Sequence, residues 1–149
     1  MSDNIVKLER IKLEQLPGLK QMMHCYLEDL SKYAIDLEPK EDGEFVYDEL
    51  EYYFSVKELA PFFVYCDQQI AGFTLVNSGS YVPMAVNYSI HEFYIAPDFR
   101  GRGVGSIAVN AIFDCFKGKY KIECFGHHYL EDKSKFADKP TMIFSIKLI

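Results

Sequence analysis

The order of hydrophobic and polar positions divides the beginning of the chain into a strand and a helix. Residues 5–11, with the sequence IVKLERI, alternate apolar and charged side chains, which predicts a half-buried strand. The apolar positions then recur every three or four residues, with Pro17 where a first helical turn tolerates proline. This spacing predicts an amphipathic helix whose apolar stripe contains Leu16, Leu19, Met22, Met23, Tyr26, Leu27, Leu30 and Tyr33.

Apolar runs and the turn residues between them predict the other elements. They are a loop at 38–45, a short helix at 47–54, a hairpin at 61–78 that turns at residues 67–69, and a long strand at 85–96. Helical spacing returns from Val104, and residues 119–125 predict a strand, so the two strands of the segment 85–125 should be parallel neighbours. The end of the chain predicts at most a short helix near 128–137 and one strand within 141–149.

Composition places the chain among globular proteins. Of its 149 residues, 49% are hydrophobic and 26% are charged, which suits one folded domain over residues 1–149. No apolar run approaches the ~18 residues that a membrane-spanning helix needs. The first residues lack the apolar core of a signal peptide, so we expect a cytoplasmic protein.

The charge of the chain limits the kinds of partner to expect, and its cysteines indicate the state of the thiols. The net charge is −6, and residues 28–51 carry ten carboxylates against two lysines. This charge disfavours nucleic acid; the acidic stretch suits either a cationic small molecule or an ordinary solvated face. The four cysteines show no CxxC spacing and lie in apolar segments, which predicts reduced core thiols and no metal site.

Three glycines at alternate positions follow the long strand, in the segment FRGRGVGSIAV at 99–109. A glycine within regular structure costs about 0.5–1 kcal/mol relative to alanine, so their density suggests that a ligand approaches the backbone closely. The segment joins a strand to a helix, and the start of a helix presents unpaired N–H groups and a partial positive charge. Glycine backbone together with Arg100 and Arg102 therefore predicts a site for a phosphate or pyrophosphate.

Two familiar phosphate loops fit this segment poorly. A P-loop requires Gly-Lys-Ser or Gly-Lys-Thr, and neither occurs in the chain. A dinucleotide fingerprint requires a third glycine where this chain has Ser106. The segment from Arg100 to Gly105 instead matches every specified position of [RQ]xxGx[GA], the loop of the GNAT N-acetyltransferase superfamily.

The longer stretch HEFYIAPDFRGRGVGSIAV resembles the central signature of that superfamily, and the order of predicted elements over residues 1–125 is similar too. The resemblance implies a single α/β domain with a mixed, mostly antiparallel sheet flanked by helices. It also implies direct transfer of an acetyl group from the cosubstrate acetyl-CoA to a primary amine of a small molecule or peptide.

By the same resemblance, Phe93 and Ile95 would present backbone groups to the pantetheine arm of acetyl-CoA. The loop residues expected to hold its pyrophosphate are Arg100, Gly101, Arg102, Gly103, Val104, Gly105 and Ser106. A carboxylate on the preceding strand often accepts the amine proton, which makes Glu92 the first candidate and His91 the second. Strict alternation would place Ser89, His91, Phe93 and Ile95 on one face of the strand and Ile90, Glu92 and Tyr94 on the other.

The end of the chain departs from the family pattern. Relatives often supply a general acid, a tyrosine, from a helix after the fifth strand; here the nearest candidate is Tyr129, beside His127 and His128. One strand is predicted where the family usually has two. A sheet that ends early, a second subunit that covers its edge, or a changed reading frame near residue 125 would each explain this. A CoA-binding or regulatory module without catalysis is therefore the alternative function.

Overall fold

The computed structural model describes residues 5–32, 37–125 and 142–147. Of these, residues 123–125 and 142–147 are described by their backbone alone. These residues form six strands and two α-helices. In chain order they are β1 (Val6–Arg10), α1 (Leu16–Ser31), β2 (Leu59–Cys66), β3 (Gln69–Ser78), β4 (Tyr88–Ile95), α2 (Val104–Cys115), β5 (Tyr120–Phe125) and β6 (Met142–Lys147). Short 3-10 turns occur at Leu13–Gln15, Leu50–Phe54, Gly79–Tyr81 and Pro97–Phe99.

All six strands lie in one sheet, in the order in which they follow one another along the chain. The pairs from β1 to β4 are antiparallel, whereas β5 pairs in parallel with both β4 and β6. This confirms the predicted α/β class and its mixed, mostly antiparallel sheet. The predicted short helix at 47–54 is a 3-10 turn, and the predicted helix near 128–137 lies outside the described residues.

The two helices cover opposite faces of the sheet. Tyr26 of α1 contacts the ring of Phe73 edge-on at 5.5 Å, whereas Phe116 at the end of α2 contacts Phe62 at 5.8 Å. Phe62 lies opposite Thr74, the neighbour of Phe73, and adjacent residues of a strand point to opposite faces. Each helix therefore buries its apolar stripe on its own side of the sheet.

Strand β4 separates from β5 halfway along its length. The parallel pairing joins Tyr88 to Tyr120, Ser89 to Lys121 and Ile90 to Ile122. Beyond Ile90, β4 continues for five residues to Ile95 without a strand on that side, as far as the described chain shows. The fold thus opens a gap in the middle of the sheet.

A β-bulge lies where this gap begins. Val76 is opposite Ile90 and Leu75 is opposite Glu92, so His91 is an extra residue on β4. Because adjacent residues of β3 point to opposite faces, Ile90 and Glu92 do too. The prediction of strict alternation along β4 is therefore wrong across His91. The bulge places Glu92 on the same face as Ser89, which is opposite Asn77.

The prediction that the cysteine thiols lie in the core is wrong for two of them. Cys66 is fully buried at the end of β2, but Cys25 and Cys115 are exposed. Both exposed cysteines lie on helices, where only one side faces the sheet. Burial raises the pKa of the Cys66 thiol.

Replacement of Gly72 should severely destabilise the sheet. A Cβ at this position would lie 1.9 Å from the carbonyl oxygen of Tyr94 on the adjacent strand. We expect Gly72→Ala to lower the free energy of unfolding by about 3 kcal/mol or more, because the two backbones must separate. Gly18→Ala is the matched control, since its Cβ would come no closer than 4.0 Å to Phe63, and it should stabilise α1 by about 0.5 kcal/mol. Equal unfolding midpoints in urea for the two variants would contradict this.

Candidate active site

The glycine segment turns the chain from β4 into α2. After the turn Pro97–Phe99, Gly101 and Gly103 have φ angles of 74° and 77°, in the left-handed region that favours glycine. A Cβ at either position would have no atom within 4 Å. The two glycines therefore serve the backbone conformation, and their absent side chains leave open space beside the chain.

The start of α2 has no side-chain cap. Gly103 is its N-cap residue, and its carbonyl oxygen accepts the N–H of Ile107 at 3.1 Å. The N–H groups of Val104, Gly105 and Ser106 meet no acceptor within the described part of the chain. Three such amides at the positive end of a helix form a ready site for an anion.

The two arginines of the segment have different surroundings. Arg100 donates through Nε to the carbonyl oxygen of Ile95 at 2.7 Å, and its Nη2 lies 3.2 Å from Oδ2 of Asp29 on α1. Its guanidinium also covers the ring of Tyr94 at 5.6 Å. Arg102 is exposed and lies over the ring of Phe99 at 5.1 Å. Arg100 therefore fastens the start of the segment to β4 and α1, while Arg102 is at the surface.

The open edge of β4 presents backbone groups to the gap. The N–H of Ala96 donates to the carbonyl oxygen of Ala71 at 2.8 Å, and an antiparallel ladder directs alternate residues to the same neighbour. Glu92 and Tyr94 therefore bond to β3, whereas the N–H and C=O groups of Phe93 and Ile95 point away from it. Arg100 occupies the carbonyl of Ile95. The side chains of Phe93 and Ile95 are buried.

Glu92 has a buried carboxylate that contacts Tyr26 and His91. It is 8% exposed, and its Oε1 accepts a hydrogen bond from the Tyr26 hydroxyl at 2.6 Å. Its Oε2 lies 3.9 Å from Nε2 of His91, which is partly exposed. The structure thus places the side chains of these two chain neighbours, which the sequence suggested as proton acceptors, within 3.9 Å of each other. It adds Tyr26, which periodicity assigned to the apolar stripe; the only signal was that a buried tyrosine hydroxyl usually needs a partner.

Other buried polar groups lie on the same face as Glu92. Ser89 is 3% exposed, and its hydroxyl has no hydrogen-bond partner among the described residues. Asn77, opposite Ser89, accepts a hydrogen bond from the Tyr53 hydroxyl at 2.6 Å. The α1 face of β3 and β4 therefore carries a polar strip within an otherwise apolar core.

A separate cavity of about 330 Å³ lies between α1 and the acidic segment that follows it, residues 42–51. The N–H of Phe45 donates to Nδ1 of His24 at 3.0 Å, which ties the segment to the helix. Lys20 pairs with Glu51 at 3.0 Å. The other carboxylates that line the cavity belong to Asp42, Glu44, Asp48 and Glu49.

Three further expectations concern the general acid, a metal site and a membrane-spanning helix. Tyr129, the candidate general acid, lies outside the described residues, as do His127 and His128. Within the described ranges, no group of three or more His, Cys, Asp or Glu side chains is placed to hold a metal ion. Nor does any helix in that part of the chain have the length and apolar character needed to cross a membrane.

The splayed sheet thus sets an open strand edge beside an uncapped helix start, an arrangement that suits an extended ligand with an anionic end. The chain belongs to the acetyltransferase (GNAT) family, whose model matches residues 19–132. A search of curated proteins gives no significant match.

Solved structures with the same fold include several acetyltransferases. A predicted acetyltransferase with acetyl-CoA from Clostridium acetobutylicum is 14% identical at a TM-score of 0.66, with 92% of each chain covered. AAC(6')-Iy in complex with a bisubstrate analogue, CoA-S-monomethyl-acetylneamine, is 14% identical at a TM-score of 0.57, covering 97% of this chain and 99% of that one. Ribosomal-protein-alanine N-acetyltransferase from Brucella melitensis biovar Abortus 2308 is 12% identical at a TM-score of 0.55, covering 96% and 81%. At these identities the likeness establishes the fold.

Proposed function

We propose that this protein transfers the acetyl group of acetyl-CoA to a primary amine of a small molecule or peptide, by direct attack and without a covalent enzyme intermediate. The observation that carries the proposal is the continuity between two open backbone surfaces. The edge of β4 beyond Ile90 leads, through residues 96–103, to the uncapped start of α2. A long ligand with an anionic end fits such a surface.

The residues present suit acetyl-CoA. The amides of Val104, Gly105 and Ser106 would hold its pyrophosphate, with Gly101 and Gly103 leaving the approach clear. Exposed Arg102 would add positive charge. The backbone groups of Phe93 and the N–H of Ile95 would pair with the amides of the pantetheine arm, as an added strand does.

The chemistry requires one proton acceptor near the thioester. The amine nitrogen attacks the thioester carbonyl carbon, the C–S bond breaks, and CoA leaves as a thiolate. The proton released by the amine passes to Glu92, directly or through water, with His91 as the second candidate. Tyr129 remains the candidate that protonates the thiolate.

The acceptor is proposed as an amine because of both chemistry and charge. One structural neighbour is named a ribosomal-protein-alanine N-acetyltransferase, and another, AAC(6')-Iy, is in complex with the bisubstrate analogue CoA-S-monomethyl-acetylneamine. The ten carboxylates within residues 28–51 produce a negative field that favours the approach of a cationic amine.

Ser106→Asp should separate ligand binding from helix stability. A carboxylate in the first turn of α2 interacts favourably with the helix dipole and should stabilise the fold by about 0.3–1 kcal/mol. The same charge repels a pyrophosphate, so we expect the Kd for CoA to rise at least tenfold. Calorimetric titration measures the Kd, and chemical unfolding measures the stability.

Ser106→Asn is the matched neutral control and should retain CoA binding. Arg100→Glu is also expected to weaken binding at least tenfold, but it is a poorer probe because the new carboxylate would lie beside Asp29. Wild-type affinity for CoA in Ser106→Asp would show that the pyrophosphate does not bind at the start of α2.

Glu92→Gln should lower kcat by about 100-fold or more, within the range of general-base contributions, and leave the Kd for CoA unchanged. The reason is that a glutamine is nearly the same size but cannot take the proton that the amine releases. Acetyl-CoA consumption over a panel of amines measures the kcat, and calorimetric titration measures the Kd. Saturable CoA binding without turnover of any amine would favour the non-catalytic module instead.

A further inference from the structure

We infer that Tyr26 is a positioning residue, which holds the Glu92 carboxylate in the orientation that accepts the amine proton. The inference rests on the proposed function, because it assigns Tyr26 a role through Glu92. Tyr26 lies on α1, 66 residues from Glu92 along the chain.

The hydrogen bond joins two groups that have little freedom to move. The hydroxyl of Tyr26 donates to Oε1 of Glu92 at 2.6 Å, and the two residues are 2% and 8% exposed. The Tyr26 ring contacts Phe73 edge-on at 5.5 Å and Tyr94 at 5.5 Å in a tilted arrangement. Because the ring cannot turn without disturbing these contacts, its hydroxyl is a fixed donor.

A fixed donor on one oxygen determines which oxygen receives a proton. Oε1 is engaged by the phenol, in the short geometry of a charge-assisted hydrogen bond. Oε2 takes no hydrogen bond within the described part of the chain and lies towards His91, at 3.9 Å from Nε2. Oε2 is thus the oxygen that accepts the amine proton.

The same stretch of α1 contacts the segment that leads to the proposed pyrophosphate site. Asp29 follows Tyr26 by three residues, which places both on one side of the helix. Asp29 pairs with Arg100, and Arg100 binds the carbonyl of Ile95 at the end of β4. Two contacts about one turn apart, Tyr26 with Glu92 and Asp29 with Arg100, therefore hold this part of α1 against β4 and the segment that follows it.

Tyr26→Phe tests the inference, and Tyr53→Phe is its matched control. Each change removes one buried tyrosine hydroxyl that donates at 2.6 Å to a polar group on the sheet, but Tyr53 donates to Asn77. We expect similar losses of Tm in the two variants, since each loses one buried hydrogen bond. The kcat should fall about tenfold in Tyr26→Phe and stay within twofold of wild type in Tyr53→Phe, with an unchanged KM for acetyl-CoA in both.

A double-mutant cycle with Glu92→Gln distinguishes positioning from a general structural effect. If Tyr26 acts through the carboxylate, Tyr26→Phe should lower kcat no further in the Glu92→Gln background. A full kcat in Tyr26→Phe, or the same tenfold loss in both backgrounds, overturns the inference and leaves the proposed function intact. If Glu92→Gln itself keeps full kcat, or if no amine is turned over, the proposed role of Glu92 fails and the inference fails with it.

Discussion

The separation of β4 from β5 is the constraint on which the rest of the site depends. A strand inside a sheet normally satisfies its backbone groups on both sides, yet beyond Ile90 only β3 does so for β4 within the described chain. The groups of Phe93 and Ile95 that face the gap must find other partners. Arg100 supplies one for the carbonyl of Ile95, and the others remain for a ligand or water. The pairing of the sheet is therefore what leaves backbone groups available in the gap, and this makes the gap the candidate binding surface.

The bulge at His91 and the separation of the strands occur at the same place, and each has a separate effect. The separation exposes backbone, whereas the bulge changes which side chains face α1. Without the extra residue, Ser89 and Glu92 would point to opposite faces; with it, both lie on the α1 face. The Glu92 carboxylate is then held against α1, which covers it, and the next residue of β4, Phe93, has backbone groups that face the gap. One inserted residue thus places Glu92, the proposed proton acceptor, on the α1 face of the strand whose edge is open.

The sequence predicted those features that depend on local patterns. Alternation and helical spacing gave the strands, both α-helices and the parallel pair, and the glycines at 101 and 103 indicated an open strand-to-helix turn. The bulge escaped prediction because it depends on pairing with β3 and not on any property of His91. The partners of Glu92 and Arg100 escaped it too, because Tyr26 and Asp29 lie 66 and 71 residues away and look like members of an ordinary amphipathic helix. Contacts of that separation are set by tertiary packing.

Helix α1 explains how these parts are held at fixed distances. Its apolar stripe packs on the sheet through residues such as Leu19 and Met23, which are almost fully buried, so the helix cannot slide without opening the core. Tyr26 and Asp29 extend that rigid contact to a carboxylate and to an arginine. The Tyr94 ring joins these two contacts, since it lies 5.5 Å from the Tyr26 ring and 5.6 Å from the Arg100 guanidinium, and burial raises the pKa of its hydroxyl. The polar groups of the site are thus ordered by the same packing that stabilises the fold.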